Sequence, residues 1–218
     1  MMAAGFAATE LPEMRLPPPA RPAVLRAAAV AAGLALALVL PAAGQARPVA
    51  YRLDAAASEV GFETDFGPDL ITGRMPVAEA SIVIDFDRPS ASRVSVTLDL
   101  ARARASFPFA TQAMLGPKVL DARAHPTIRF ESTAVRARGG TGARAEIDGL
   151  LTIRGVTRPV TLDAEIFRRE GTEVGERDRM SIHLRGRVSR AAYGATGWSD
   201  LVGDEVRLIV VARIDREG

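Results

Sequence analysis

Between residues 51 and 214, apolar and polar side chains alternate with a period of two, and the alternation restarts after each of several short turn sequences. Val60, Phe62 and Phe66 alternate with Glu63 and Asp65, and Ile82, Ile84 and Phe86 alternate with Ser81 and Asp85. Val94, Val96, Leu98 and Leu100 lie opposite in phase to Arg93, Ser95, Thr97 and Asp99. The pattern returns in Ile128, Phe130 and Ala134, in Leu151 and Ile153, and in Val160, Leu162, Ala164 and Ile166. It returns again in Ile182 and Leu184 and in Val206, Leu208, Val210, Ala212 and Ile214. Successive side chains of a strand point to opposite faces, so each run predicts a strand with one dry face and one wet face.

Turn-forming residues stand where such strands must reverse: Gly67-Pro68-Asp69, Asp87-Arg88-Pro89-Ser90, Gly139-Gly140-Thr141-Gly142 and the segment from Gly155 to Pro159. The stretch IDGLLTIRGVTRPVTLDAEI at 147–166 shows the plan most plainly, with two alternating runs hinged on 155–159. Pro159 lacks an N–H donor and suits the first residue of the returning strand. One segment breaks the rhythm. FATQAMLGPKVLDARA at 109–124 groups Ala113, Met114, Val119 and Leu120 at helix-like spacing and is interrupted by Gly116-Pro117, which predicts a short broken helix closing one end of a barrel. The rest reads as an all-β antiparallel protein of roughly eight strands. With no helix long enough to cover them, the strands must pack sheet on sheet or close on themselves.

The N-terminus follows other rules. Arg21 and Arg26 precede the uncharged run AAAVAAGLALALVL at 27–40, 14 residues long, and then PAAGQA. A basic region, a short apolar region and a small-residue end together predict an export signal, with cleavage after Ala46. The run falls short of the ~18 apolar residues of a spanning helix. Met14 is an alternative start, leaving MRLPPPARPAVLR as a basic region of more usual length. The expected organisation is therefore a removed segment 1–46 and one domain, 47–218, of 218 − 46 = 172 residues.

Charge and cysteine usage narrow the partners. The removed segment carries three Arg and two Glu, so the net charge of +2 falls to 25 − 24 = +1. Arginines are scattered among acids with no long run of one sign, which argues against a nucleic-acid partner. There is no cysteine, which excludes disulfides, thiolate metal sites and a cysteine nucleophile. Export without disulfides points to a bacterial periplasm.

Candidate chemistry is sparse. His125 and His183 lie far apart in sequence, without a second ligand at metal spacing: His183 on the polar phase of its strand and His125 before Pro126 at a loop-to-strand junction. No cofactor is implied. No G-x-S-x-G elbow occurs, and Ser199 in Gly197-Trp198-Ser199-Asp200 is the one serine in a suggestive loop setting. Acids on the strand phases alternate with arginine as on a solvated face, with none displaced into the apolar phase. The glycines of GGTGAR at 139–144 lack a following Lys-Ser/Thr and suit a hairpin rather than a phosphate loop. What remains is the apolar phase itself. The interior of an eight-stranded barrel is filled by side chains or holds one small ligand. Gly149, Ala134, Ala164, Gly186 and Ala212 on the inward phase either fit a taper or leave room for such a ligand.

Five pieces in order give the chain a resemblance: YRLDAAASEVGF at 51–62, HPTIRFEST at 125–133, GLLTIRGVTRPVTL at 149–162, SRAAYG at 189–194 and VGDEVRL at 202–208. With these it resembles the YceI-like family of exported bacterial proteins over 51–214, the third piece being the most specific. The resemblance implies an elongated, eight-stranded antiparallel, lipocalin-like barrel with one short helical segment near one end. It also implies a polyisoprenoid or other long-chain amphiphile held in the interior without a catalytic step, and transient contact with a membrane is compatible with such a role. The wall of that interior is expected from Phe62, Phe66, Ile84, Phe86, Val96, Leu98, Phe130, Ala134, Leu151, Ile153, Leu162, Ala164, Leu184, Leu208 and Val210. In one place the chain departs from the family. Where the family has an Arg-Asp-x-His-Leu helix leading to Phe-Phe-Asp, this chain has Ala110, Thr111 and Ala113, then Val119-Leu120-Asp121, so a polar cluster there does not carry over. Two other readings stay open: a filled barrel acting as a stress or redox accessory through a surface patch at Tyr193 and Trp198, and a hydrolase using Ser199.

Overall fold

The computed structural model describes residues 48–139, 143–169, 171, 173 and 175–218. The expected export segment 1–46 and residues 140–142 of the 139–144 hairpin tip lie outside them. The elements in order are β1 (Val49–Leu53), β2 (Glu59–Phe66), β3 (Asp69–Arg74), β4 (Val77–Ile84), β5 (Arg93–Asp99) and β6 (Arg104–Ala105). They are followed by α1 (Pro108–Leu115), β7 (Thr127–Arg138), β8 (Arg144–Ile153), β9 (Val156–Arg168), β10 (Arg179–Ser189) and β11 (Val202–Arg216).

The wall closes on itself. Strands neighbour one another in the order β1-β4-β5-β7-β8-β9-β10-β11, and β11 pairs back onto β1, giving an eight-stranded antiparallel closed barrel. The extra strands β2, β3 and β6 continue the same wall: β1 and β2 occupy successive parts of one edge of β11, β3 pairs with β2, and β6 pairs with β3. The first six strands therefore form three bent ribbons. At the first bend, residues 54–58, Asp54 takes the Ala57 N–H on its side chain (3.1 Å) and donates its own N–H to the Arg213 carbonyl (2.8 Å). Ser58 Oγ accepts the Arg213 N–H (2.9 Å), so the bend stays fastened to β11. At the second bend Pro76 interrupts the ladder, and its carbonyl accepts the Asp99 N–H (2.9 Å).

Several expectations are corrected in detail. The β8–β9 turn is tighter than 155–159: Arg154 and Gly155 alone form it, with φ of 53° and 75°, and Ile153 faces Val156. Two residues at positive φ make the hairpin turn that matches strand twist. Pro159 consequently lies inside β9, opposite Leu150 and beyond the last β9–β10 pair at Leu162–Gly186. The helix stops at Leu115. Gly116 and Pro117 end it, and 117–124 continues as turns rather than as a second helical half.

The third correction concerns β7. Its ladder with β5 runs only to Ser95–Glu131, after which the Val94 N–H is met by Ser132 Oγ at 2.8 Å. A bulge follows: Ser132 pairs with Gly149, but Ala134 pairs with Asp148. One extra residue reverses the side-chain phase. Val135 therefore points inward and Ala134 outward, beside the Asp148 carboxylate, which accepts from Arg136 and from Thr161 Oγ1 on the outer face.

α1 and the turns after it close the end of the barrel where β6 and β7 separate. Thr111 Oγ1 accepts the Ala105 N–H (2.9 Å), Arg154 donates to the carbonyls of Pro117 (2.7 Å) and Val119 (2.8 Å), and the Gly197 N–H donates to the Lys118 carbonyl (2.8 Å). On the outer wall, cross-strand ion pairs use the polar phase: Arg136 with Glu146 and Asp148, Arg144 with Glu165, and Arg207 with Glu63 and Asp65.

The interior packing yields one stability prediction. A Cβ at Gly149 would land on the Phe130 ring and close to the Glu131 carbonyl. Gly149→Val is expected to lower stability by about 1–3 kcal/mol through overpacking, read as a lower urea midpoint with an unchanged slope.

Candidate functional site

Inside the barrel is a cavity of about 430 Å³ that extends along the interior from Phe86 and Pro89 at one end to Phe109 and Trp198 at the other. Fourteen of the fifteen wall residues expected from the sequence line it, from Phe62 and Phe66 on β2 to Leu208 and Val210 on β11. The exception is Ala134, turned outward by the β7 bulge. Residues not expected from the sequence complete the wall: Ile71 and Met75 at the β3 bend, Val135 after the bulge, Met114 and Leu120 from the helical end, and Tyr193.

Small inward residues do two different things. Ala164 and Ala212 face the cavity and leave it space. Gly149 and Gly186 do not, because the Phe130 ring lies over the first and Leu162 over the second. A large side chain on the neighbouring strand, diagonal for Phe130 and directly opposite for Leu162, supplies the packing that the glycine lacks. The taper and the free space are thus both present, at different residues.

The charged groups at the wall and the Thr64 hydroxyl are already bonded within the protein. Thr64 Oγ1 donates to the carbonyls of Gly203 (3.2 Å) and Glu205 (3.0 Å). Asp85, with a fully buried side chain, accepts the N–H groups of Asp87 (3.1 Å) and Arg88 (2.7 Å) and pairs with the Arg88 guanidinium, while the Asp85 N–H donates to Ser92 Oγ (3.0 Å). Among the described residues no buried side-chain nitrogen or oxygen lacks a partner. The cavity therefore offers a ligand an apolar wall with no free charge to bind.

Arg190 shows this most clearly. Its guanidinium is buried and donates to four backbone carbonyls, those of Gly203 (2.9 Å), Ala195 (2.5 Å), Gly197 (2.7 Å) and Val202 (2.9 Å). Burial pushes it below its ordinary pKa, while the Asp204 charge opposes that shift. Asp204 accepts the Ala191 N–H (2.8 Å), and bonds from Ser189 and Ala191 together with the Arg190 charge hold its carboxyl below the usual carboxylate value. These bonds fix the segment 190–203 across the end of the barrel. The piece SRAAYG marked the segment in the sequence, but nothing in it signalled that Arg190 turns inward.

The remaining candidates fall elsewhere. Tyr193 is 2% exposed and lines the cavity, so it forms no surface patch, and burial pushes its phenol up. Trp198 is exposed and meets Phe109 edge to face at 5.9 Å. Ser199 is exposed in the following turn. His183 stacks at 4.5 Å against Phe167 on the outer wall, and His125 packs against Gly155 at the β8–β9 turn. Among the described residues no group of three or more His, Asp or Glu is placed to hold a metal ion.

Comparison with known proteins gives a consistent picture. The family model for the YceI-like domain matches residues 51–214. The UPF0312 protein of Pseudomonas aeruginosa is 33% identical over 139 residues, 62% of this chain and 71% of its own length. Among solved structures, Burkholderia cenocepacia BcnA superposes with a TM-score of 0.66 at 19% identity, covering 74% of this chain and 99% of that one. A polyisoprenoid binding domain from Saccharophagus degradans, implicated in plant cell wall breakdown, superposes with a TM-score of 0.57 at 16% identity, covering 78% and 99%.

Two outcomes test the Arg190 cluster. Arg190→Ala leaves four inward carbonyls without their donor, and at about 1–3 kcal/mol per orphaned group it is expected to cost at least ~3 kcal/mol in urea unfolding, with Arg190→Lys in between. Asp204 titrates below its unfolded value, so its contribution is present above about pH 4 and is lost as pH falls through the folded value. Asp204→Asn is expected to flatten the acid side of the stability–pH curve and leave its slope above pH 6 unchanged.

Proposed function

Because the chain belongs to the YceI-like family, we propose that it is a non-catalytic periplasmic binding protein that holds one long-chain amphiphile, a polyisoprenoid or similar lipid, in the barrel interior. The observation that carries this reading is the elongated apolar cavity whose charged wall groups, Asp85, Arg144 and Arg190, are committed to the protein's own backbone and side chains. A site of this kind discriminates by length and apolarity, because its charged groups are already paired.

The size and energetics are adequate. A volume of about 430 Å³ lies within the ~300–1,000 Å³ usual for small-molecule sites. Burying a dozen methylene-sized groups contributes about 10 kcal/mol at roughly 0.8 each. Micromolar binding needs about 8 kcal/mol net. A chain somewhat longer than a dozen carbons would offset the cost of ordering it. The Saccharophagus domain is similar in fold and is described as polyisoprenoid binding, which supports the ligand class. The basic and apolar segment at 21–46 and the absence of cysteine support the periplasm.

Two experiments test the reading. Protein purified from its periplasm and extracted with organic solvent is expected to yield one isoprenoid or acyl species in stoichiometric amount by mass spectrometry. A clean extract together with no uptake of a fluorescent fatty acid would overturn the assignment. The β7 bulge supplies an internal control: Ala164→Phe fills the cavity and is expected to reduce uptake at least about tenfold, whereas Ala134→Phe, on the outer wall, leaves uptake unchanged. Circular dichroism of both variants checks that the barrel persists.

A further inference from the structure

At the α1 end the rim of the cavity is apolar, outside the hydrogen bonds that fasten 117–119 to Arg154 and Gly197. Phe107, Phe109, Trp198 and Leu201 all line it, yet they are 37, 61, 47 and 57% exposed. Phe109 and Trp198 face each other across this end, and the Phe107 ring lies 6.3 Å from Phe66 at the tip of β2. Single exposed apolar residues are ordinary on a protein surface. A cluster of four that is continuous with an apolar interior marks a contact surface.

The charge distribution says what the surface contacts. α1, PFATQAML, carries no charged residue, and across 107–120 Lys118 is the only one. In 191–202 the only charged residue is Asp200. Asp69 stands nearby in the turn whose Gly67 N–H bonds the Leu201 carbonyl (3.1 Å), but lowering the two segments themselves into the boundary between lipid headgroups and acyl chains would desolvate little charge, and Lys118 suits lipid phosphates. Aromatic side chains favour that boundary.

We propose that the α1 end is a membrane-docking mouth. Phe107, Phe109, Trp198 and Leu201 enter the interfacial zone of a phospholipid bilayer, and the ligand passes between bilayer and barrel at this end without crossing water. The inference rests on the lipid-carrier reading and adds to it a surface, a partner and a route.

Trp198 is the single tryptophan of the chain, so its fluorescence reports on the mouth alone. The mature protein mixed with phosphatidylethanolamine–phosphatidylglycerol vesicles (3:1) is expected to float with them, to shift its emission to the blue and to be quenched by vesicle lipids brominated on the acyl chain. Phe109→Ser combined with Leu201→Ser is expected to reduce co-flotation at least about tenfold. Phe167→Ser combined with Ile209→Ser, on exposed wall positions away from the cavity, leaves it unchanged. Equal losses in the two pairs would overturn the mouth. So would a wild-type protein that neither floats nor shifts yet takes up a fluorescent fatty acid from solution, a result that leaves the carrier reading standing. Failure of both flotation and uptake would overturn both.

Discussion

Strand β11 has fifteen residues and two edges, and every N–H and C=O along both must find a partner or remain in water. One edge is taken by β10 over eleven consecutive pairs, from Ser189–Glu205 to Arg179–Asp215. No strand in the first part of the chain is long enough to take the other edge alone. β2 takes the part from Val202 to Val211 and β1 the part from Ile214 to Arg216, with the 54–58 bend fastened between them. This shared edge is what closes the barrel. It also requires β3 and β4, and then β5 and β6, to bend in the same way, so the wall parts near β6 and the chain must return through α1 to cover the opening. The helical end is thus a consequence of how the sheet closes.

The same geometry decides what the interior is. Eight strands enclose a space close to the size that side chains can fill, and the chain fills part of it by laying Phe130 over Gly149, Phe62 over Gly73 and Leu162 over Gly186. Space survives beside small inward residues such as Ala164 and Ala212, which line the cavity. The charged groups and the Thr64 hydroxyl within reach are withdrawn from use. Thr64 binds the backbone of β11 and its approach, Asp85 binds the 87–88 turn, and Arg190 holds four carbonyls. A carrier for an apolar chain requires this withdrawal, because a buried donor left free would favour water or a polar ligand instead.

Most of the wall was legible in the sequence because period-two alternation is local: each strand states its own inward phase, and fourteen of fifteen wall positions follow from it. The departures come chiefly from contacts between distant parts of the chain. Ala134 was misplaced because the bulge depends on the Val94 N–H reaching Ser132 from another strand. The turn at 155–159 was drawn too wide because Arg154, a residue without turn preference, adopts positive φ next to Gly155. The helix was drawn too long because Val119 and Leu120 are apolar for another reason: they reach the cavity from the turns beyond Gly116. Arg190 and Tyr193 were assigned no interior role because a cation or a phenol reads as surface until the carbonyls and walls that receive it are known. The five ordered pieces that carry the family resemblance made up for this only at the level of fold.

The two ends of the barrel, finally, are built from different chemistry. Around Phe86 the closure is polar and internally bonded: Arg177 sits 4.2 Å over the Phe86 ring, its carbonyl accepts the Tyr51 hydroxyl at 3.0 Å, and Asp85 anchors the turn that leads into 89–91. Opening that end would break bonds that water would have to replace at a buried carboxylate. At the α1 end the Gly197 N–H bonds the Lys118 carbonyl and Arg154 the carbonyls of Pro117 and Val119, and outside these bonds the rim is aromatic edges and exposed apolar side chains, which gain when an apolar phase replaces water. An asymmetric tube of this kind has a preferred direction for an apolar chain. Under the carrier reading, the chain enters at the α1 end, and its tail runs toward the Asp85 turn. A polar head finds no free charge inside and stays near Lys118 at the mouth.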